Sequence, residues 1–139
     1  MLLTIERVAL LKAVPIFANT PGQVLASVAS ILKEVVLEPG EPLIREGELG
    51  DCMYLIIEGR VRVHSDDHTI VTLGEGRTVG ELAVLDPEPR SASVTATEET
   101  RLFRIDKDVL DEVMDDRPEI AHAILRSLCR RLRETTVKS

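Results

Sequence analysis

The feature that most limits the fold of this chain is a central run of short β-branched segments separated by turn signals. Between about residues 35 and 106, Pro-Gly, Glu-Gly, Leu-Gly and Asp-Asp pairs interrupt stretches rich in Val, Ile and Thr. Breaks about every 8 to 12 residues are typical of antiparallel sandwiches and barrels. No alternation of strands with long helices appears, which excludes a doubly wound parallel sheet. The centre of the chain therefore predicts an antiparallel β fold.

The turn signals divide this region into short predicted strands. In "SASVTATEE", Ala92, Val94 and Ala96 alternate with Ser and Thr, as expected of a half-buried strand. The predicted strands cover residues 35–38, 42–46, 52–58, 60–65, 68–73, 91–99 and 100–106.

The segments on either side carry helical signals. Thr20, Pro21 and Gln23 form a capping-box pattern, which predicts Thr20 as a helix N-cap with proline at the first helical position. A short helix is predicted at 107–115, and Pro118 begins a longer one.

A wide apolar stripe runs along the last helix, and it exceeds what packing on one sheet wall needs. Two interpretations stay open: ordinary core packing, or packing combined with contact to a partner helix. The stripe consists of Ile120, Ala121, Ile124, Leu125, Leu128, Cys129 and Leu132.

The length of 139 residues suits a single domain over 1–139. Its expected parts are N-terminal helices at 1–32, a β-barrel at 33–106 and C-terminal helices at 107–137. Because aromatic residues make up only 2% of the chain, the core must be built from Val, Leu, Ile and Ala.

The charge and the cysteines limit the class of partner. A formal net charge of −7 argues against direct nucleic-acid binding, and four arginines near the C-terminus are interpreted as a solvated helix face. No run approaches the roughly 18 apolar residues of a membrane span, so no membrane insertion by this chain is expected. Two cysteines without a spacing motif, and no signal peptide, predict a reduced, cytoplasmic protein.

Neither catalysis nor metal binding has a convincing signature. "HSDDH" contains metal-ligand types at 64–68, but Asp-Asp between alternating strands is a hairpin signal. The glycines of "GEGRTVGE" do not have dinucleotide-binding spacing. No nucleophile is paired with a base. We therefore expect no enzyme, no metal site and no cofactor.

One stretch does carry ligand chemistry: "GELAVLDPEPRSASV", residues 80–94. "ELAVL" is long enough for one helical turn, whose first N–H groups favour an anion. Arg90 adds a charged fork that matches phosphate oxygens, and Glu81 can accept a hydrogen bond from an adjacent hydroxyl. The alternative is an ion pair between Glu81 and Arg90 that ties down a loop.

This stretch resembles the phosphate-binding cassette of the cyclic nucleotide-binding domains, found in the catabolite activator protein and in regulatory subunits of cAMP-dependent protein kinase. The family pattern is roughly Phe-Gly-Glu-Leu-Ala-Leu, a variable loop, then Pro-Arg-Ala/Ser/Thr-Ala-x-Val. The resemblance extends upstream to "EPGEPLIREGELGDCMYLIIEGRVRV" and covers about residues 15 to 135. It implies an α+β fold, with an antiparallel β-barrel of the jelly-roll (double-stranded β-helix) type between N-terminal helices and C-terminal lid helices.

The resemblance also implies the roles of individual residues. Glu81 corresponds to the ligand of the ribose 2′-hydroxyl and Arg90 to the ligand of the cyclic phosphate. Val79 stands where the family usually has an aromatic residue, and Ser91 is compatible with cAMP while leaving cGMP open. The implied ligand-binding residues are Val71, Leu73, Gly80, Glu81, Leu82, Ala83, Arg90, Ser91 and Ala92, with Thr135 and Thr136 near adenine.

The expected function is therefore a sensor domain for cAMP, with cGMP open, in which movement of the C-terminal helices reaches a fused or separate effector. A homodimer through the last helix is one expected partner arrangement. Two alternatives stay open: a degenerate, non-binding dimerisation or interaction module, and the sensor half of a transcription regulator.

Overall fold

The structure, a computed structural model, describes residues 2–138, with side chains as far as Thr136. The chain divides into two compact units. One contains the residues up to Ile31 and those from Asp108 onward, and the other is Leu32–Lys107. The single domain expected over 1–139 stays a prediction.

The unit Leu32–Lys107 is built from antiparallel sheets. Its strands are β1 Lys33–Leu37, β2 Pro42–Ile44, β3 Leu49–Gly50, β4 Cys52–Glu58, β5 Val61–Ser65, β6 His68–Leu73, β7 Thr78–Val79, β8 Glu88–Pro89, β9 Ser93–Ala96 and β10 Thr100–Asp106. One four-stranded sheet has the order β1-β10-β4-β7, a second has β2-β9-β5-β6, and β3 pairs with β8.

This arrangement confirms the predicted antiparallel jelly roll but not its closure into a barrel. Among residues 2–138, no hydrogen-bonded strand pair joins the two four-stranded sheets. β7, at the edge of the first sheet, contains two residues and pairs with β4 alone. Since no described strand pair closes the two sheets on each other, the unit is a sandwich.

The core of this unit lies between the two larger sheets. Tyr54, Ile56 and Leu102 of the first sheet belong to the same buried cluster as Val61 and Val94 of the second. Two sheets that share one apolar layer are the usual architecture of a sandwich. The aliphatic core expected from the composition is present.

The other unit is helical. Its helices are α1 Thr4–Lys12, α2 Gly22–Ala29, α3 Lys107–Asp116 and α4 Pro118–Lys138, with a 3₁₀ turn at Pro15–Phe17. α1 packs against α2, and α4 packs against the 3₁₀ turn, where Asn19 donates a 2.8 Å hydrogen bond to the Ser127 hydroxyl. No helix in the described part of the chain has the length and apolarity to cross a membrane.

The apolar stripe of α4 is partly buried and partly exposed. Ile120 and Ile124 are buried, whereas Leu125 and Leu132 are 57% and 68% exposed, and Cys129 is exposed beside them. Packing therefore accounts for half of the stripe. The spacing of the exposed half, i, i+4 and i+7, places its three residues on one helix face.

The predicted N-cap at Thr20 is wrong. Helix α2 begins at Gly22 with Pro21 in the cap position, and no side chain caps it. The Thr20 side chain is fully buried, and its hydroxyl has no hydrogen-bond partner within the described structure. The backbone carbonyl of Thr20 instead accepts a hydrogen bond from Lys12 Nζ at 2.6 Å.

This unpaired hydroxyl predicts a stabilising substitution. Burial of a hydroxyl without a partner costs about 1 kcal/mol or more, so Thr20→Val should raise the free energy of unfolding by about 1 kcal/mol. Thr100 is the matched control, because it is equally buried and its hydroxyl bonds to Arg60 and Glu98 backbone groups. Thr100→Val should lower the same free energy by about 1–2 kcal/mol. Urea unfolding of both variants checks the opposite signs, and a destabilised Thr20→Val would contradict the assignment.

Candidate functional site

The predicted helical turn of the 80–94 stretch is present as a 3₁₀ turn, Glu81–Val84. Gly80 precedes it with φ of 69°, a left-handed conformation that glycine adopts without strain. Val84 is buried and anchors the turn, while the Ala83 amide donates to the Gly80 carbonyl at 3.0 Å. The Ala83 N–H is therefore already used inside the turn.

Arg90 is held at its backbone by the short β3–β8 region. Its amide donates to the Glu48 carbonyl at 2.8 Å, and its carbonyl accepts from the Gly47 amide at 2.8 Å. These bonds continue the pairing of β3 with β8, which fixes the strand direction just before Arg90. The Arg90 side chain therefore projects from a backbone held by hydrogen bonds on both its N–H and its carbonyl.

The Arg90 guanidinium lies against the start of β4. Its Nη2 donates to the Cys52 carbonyl oxygen at 2.8 Å and contacts Cys52 Sγ at 3.4 Å. Gly50 and Gly80 flank it so closely that a Cβ at either position would overlap the guanidinium. The two glycines therefore leave the space that the arginine side chain fills.

A cavity of about 300 Å³ opens beside this guanidinium. Six predicted ligand-binding residues line it: Val71, Leu73, Gly80, Arg90, Ser91 and Ala92. The structure thus brings together one cation, one hydroxyl and an apolar wall, which is the composition expected of a ligand pocket.

The remaining cavity residues were not in the predicted set of ligand-binding residues, although Val79 was noted at the position where the family usually has an aromatic residue. They are Ile44, Val63, Thr78, Val79 and Val94. Most are apolar residues of β2, β5, β7 and β9, and each strand looks like ordinary core in the sequence. Alternation along β5 and β9 is the signal that could have identified Val63 and Val94, but only strand pairing shows that these residues face the same space.

Glu81, Leu82 and Ala83 do not line the cavity, although they follow Gly80 directly. Glu81 is half-buried and Leu82 is 53% exposed. Their predicted ligand contacts stay predictions.

Thr135 and Thr136 lie near the end of α4 in the helical unit, and both are exposed. Their hydroxyls donate to the carbonyls of Arg131 and Leu132 in the preceding turn. The predicted contact of these threonines with adenine stays a prediction.

The alternative of an ion pair between Glu81 and Arg90 is not realised. Among the residues that the structure describes, no acidic side chain forms an ion pair with Arg90. In both hydrogen bonds of its guanidinium, Nη2 is the donor and Cys52 is the acceptor, through its carbonyl oxygen and its sulfur. Because a guanidinium has five N–H donors, Arg90 retains donors for an anion in the cavity.

Arg90 also lines a second cavity of about 220 Å³, together with Cys52, Tyr54 and Arg104. Burial, reinforced by neighbouring Cys52, raises the pKa of Tyr54 to about 12, so the phenol is neutral at ordinary pH. Arg104 lies over the Tyr54 ring at 5.8 Å from its centroid and donates to Asp106 at 2.6 Å.

The Asp106 carboxyl, beside Arg104, makes the free energy of unfolding depend on pH in the acid range. Burial opposes its ionisation, but hydrogen bonds from Arg104 and Lys33 outweigh burial and lower the pKa of the carboxyl. A pKa lowered by folding stabilises the protein above the ordinary Asp value, and that contribution is lost as the pH falls through the folded value.

We therefore expect Asp106→Asn to lower the free energy of unfolding at pH 7. The difference from the natural protein should shrink as the pH falls below the ordinary pKa of an aspartate, about 3.9. Urea unfolding at pH 7 and in the acid range measures both values. A difference that does not depend on pH would contradict this role.

The "HSDDH" segment forms the predicted hairpin. Ser65 pairs with His68 across the turn, and Asp66 has a φ of 52°. His64 bonds to the Asp66 carbonyl and the Thr95 hydroxyl at 2.7 and 2.8 Å. Within the described residues, no group of His, Cys, Asp and Glu is arranged to hold a metal ion.

Comparison with known proteins gives the family. The model of the cyclic nucleotide-binding domain matches residues 34–117. A CRP-like cAMP-activated global transcriptional regulator of Mycobacterium tuberculosis is 35% identical over 125 residues, covering 86% of this chain and 56% of that protein. A cyclic nucleotide-gated potassium channel of Rhizobium etli is 35% identical over 122 residues, covering 88% of this chain and 34% of the channel.

A solved structure of a similar fold points to the same kind of protein as the two sequence relatives. The N-terminal domain of a transcriptional regulator from Streptomyces coelicolor superposes with a TM-score of 0.84 at 36% identity, covering 91% of this chain and 94% of that domain. The chain spans little more than half of the regulator and a third of the channel, so it corresponds to one part of each. With its family match, its sandwich and its cassette, this chain belongs to the cyclic nucleotide-binding domain family.

Proposed function

We propose that this domain binds cAMP in the 300 Å³ cavity, with Arg90 pairing with the cyclic phosphate. The observation that carries the proposal is the Arg90 guanidinium itself. It lines an otherwise largely apolar cavity and has no acidic partner among the described residues. A half-buried cation in such a place is suited to an anionic ligand, because a fork of N–H donors matches phosphate oxygens.

The other parts of the nucleotide have candidate partners in the same unit. Glu81, on the turn after Gly80, accepts a hydrogen bond from the ribose 2′-hydroxyl. Ser91, which lines the cavity, adds a hydroxyl near the phosphate. Leu82 contributes a backbone contact from the turn, and Ala83 shares its N–H between the Gly80 carbonyl and the ligand. Ala92 lines the cavity beside Arg90 and Ser91.

The base lies against the aliphatic wall that Val71 and Leu73 form with Val63. Val71 is 44% exposed, which leaves apolar surface at the cavity mouth for a base to cover. cGMP is the second candidate ligand, since the Ser91 hydroxyl suits either base.

In this proposal the domain is a regulatory sensor, without enzymatic activity and without a cofactor, in the cytoplasm. Ligand binding favours one arrangement of the C-terminal helices, and that shift reaches a fused or separate effector. Two relatives support an output of this kind, since one is named a cAMP-activated regulator and the other a cyclic nucleotide-gated channel. Neither nucleic-acid contact nor membrane insertion is assigned to this chain.

One observation favours a second candidate function. The exposed face of α4 formed by Leu125, Cys129 and Leu132 suits a partner helix, and therefore a homodimer. A non-binding module that only dimerises would use the same face. A sensor half of a transcription regulator would use both the face and the cavity.

Isothermal titration calorimetry with cAMP, cGMP and 5′-AMP tests the proposal. We expect saturable heat with cAMP and weaker or absent binding of 5′-AMP, whose open phosphate has a different shape and an additional charge. Absence of heat with both cyclic nucleotides, in a folded sample, would contradict it and favour the dimerisation module.

A further inference from the structure

We propose that Cys52 is a positioning residue for Arg90, and that its side chain sets the affinity of the domain for cyclic nucleotides. The inference rests on the proposed function, because it assigns Cys52 a role in holding the arginine that we assign to the phosphate. It concerns the Cys52 side chain and not only its backbone.

Cys52 contacts the Arg90 side chain and the neighbouring strand β10. It begins β4, pairs with Asp106 of β10, and is only 4% exposed. Its carbonyl oxygen and its sulfur both face Arg90 Nη2, at 2.8 and 3.4 Å. Within the described residues, Cys52 is the one whose side chain hydrogen-bonds to the Arg90 guanidinium.

The surroundings make that side chain decisive. Gly50 and Gly80 flank the guanidinium and have no side chain, so neither can hold it by a side-chain contact. The Cys52 carbonyl would be present with any residue at this position. The identity of residue 52 therefore determines how firmly Nη2 is retained, since sulfur is a weak but real acceptor for a charged donor.

The two cavities explain why retention affects binding. Arg90 lines both the 300 Å³ cavity and the 220 Å³ cavity, and Cys52 lines only the second. A guanidinium that loses the contact with the Cys52 sulfur and keeps only the bond to the backbone carbonyl gains freedom to turn away from the first cavity. Ligand binding then has to order it again, which reduces affinity.

The test compares Cys52→Ala with Cys52→Ser by calorimetry with cAMP. We expect Cys52→Ala to weaken binding about three- to tenfold, the effect of losing one modest hydrogen bond, and Cys52→Ser to stay within about twofold of the natural domain because it retains an acceptor. Ser30→Ala is the control, because it removes an exposed hydroxyl at the end of α2 that donates to the Ser27 carbonyl and lines neither cavity; its loss should leave the affinity unchanged.

A second measurement separates positioning from general destabilisation. The side-chain Nε–H signal of Arg90, assigned by its disappearance in Arg90→Lys, reports the order of the guanidinium through its ¹⁵N heteronuclear NOE. In the ligand-free domain this NOE should fall in Cys52→Ala and stay high in Cys52→Ser. A purely structural role of Cys52 would lower the thermal midpoint without this pattern.

The outcomes distinguish the two proposals. If the natural domain binds cAMP and Arg90→Ala loses it, but Cys52→Ala has unchanged affinity and an unchanged Arg90 NOE, only the role of Cys52 is overturned. If the natural domain binds neither cyclic nucleotide, the proposed function fails and the binding role of Cys52 fails with it. The NOE then still decides whether Cys52 holds Arg90.

Discussion

Replacing Arg90 with alanine is expected to weaken cAMP binding by about 3–5 kcal/mol, or roughly 100-fold to several thousand-fold. The estimate is the usual effect of removing one partner from a buried, hydrogen-bonded charge pair, because the cyclic phosphate would then lie in the cavity without its cation. Titration calorimetry of the variant with cAMP measures the loss.

Two further variants make this result specific. Arg90→Lys should also lose affinity, because an ammonium group keeps the charge but cannot reproduce the planar fork. Arg60→Ala is the matched control, since Arg60 is an exposed arginine that contacts Glu98 at 3.9 Å. Its removal should leave binding nearly unchanged. Retained affinity in Arg90→Ala would remove Arg90 from the site.

The second large effect is expected at Glu81. Glu81→Ala should weaken binding of cAMP by about 1.5–3 kcal/mol, the usual size of a hydrogen bond to a charged group, while binding of 2′-deoxy-cAMP changes little. The preference for ribose over deoxyribose should therefore shrink about tenfold or more. Competition of both nucleotides against a fluorescent cAMP analogue measures the ratio.

Glu98→Ala provides the control for this ratio, because it also removes one exposed carboxylate, the one that contacts Arg60. Its ribose preference should equal that of the natural domain. If the ratio for Glu81→Ala also equals it, the ribose contact belongs to another residue.

The strands that the sequence predicts well are those with long apolar alternation and clear turn signals at both ends. The predicted ranges 52–58 and 100–106 coincide with β4 and β10. By contrast, β3, β7 and β8 have two residues each, too few for any periodicity to appear. Closure of a barrel depends on pairing between such short segments, which explains why the sandwich was predicted as a barrel.

The error at Thr20 has a different origin. Its sequence pattern is a valid capping box, but capping requires the side chain to face the helix end. Here Pro21 occupies the cap position and the Thr20 side chain is buried instead. Tertiary burial overrides the local preference.

The sequence likewise predicted some residues of the candidate site and missed others. Gly80, Arg90 and Ser91 were predictable because they lie within one continuous motif that resembles the phosphate-binding cassette of the family. Ile44 and Val63 were not, because they reach the cavity through the pairing of β9 with β2 and β5. Contacts along the chain are visible in a sequence, whereas contacts across a sheet require its register.

The most direct test of the account is a crystal structure of the domain grown with excess cAMP. We predict that the Arg90 guanidinium forms hydrogen bonds of about 2.7–2.9 Å to the phosphate oxygens, with a Glu81 carboxylate oxygen on the ribose 2′-hydroxyl. A structure in which Arg90 turns away from the nucleotide, or in which the protein's own side chains fill the cavity, would contradict it.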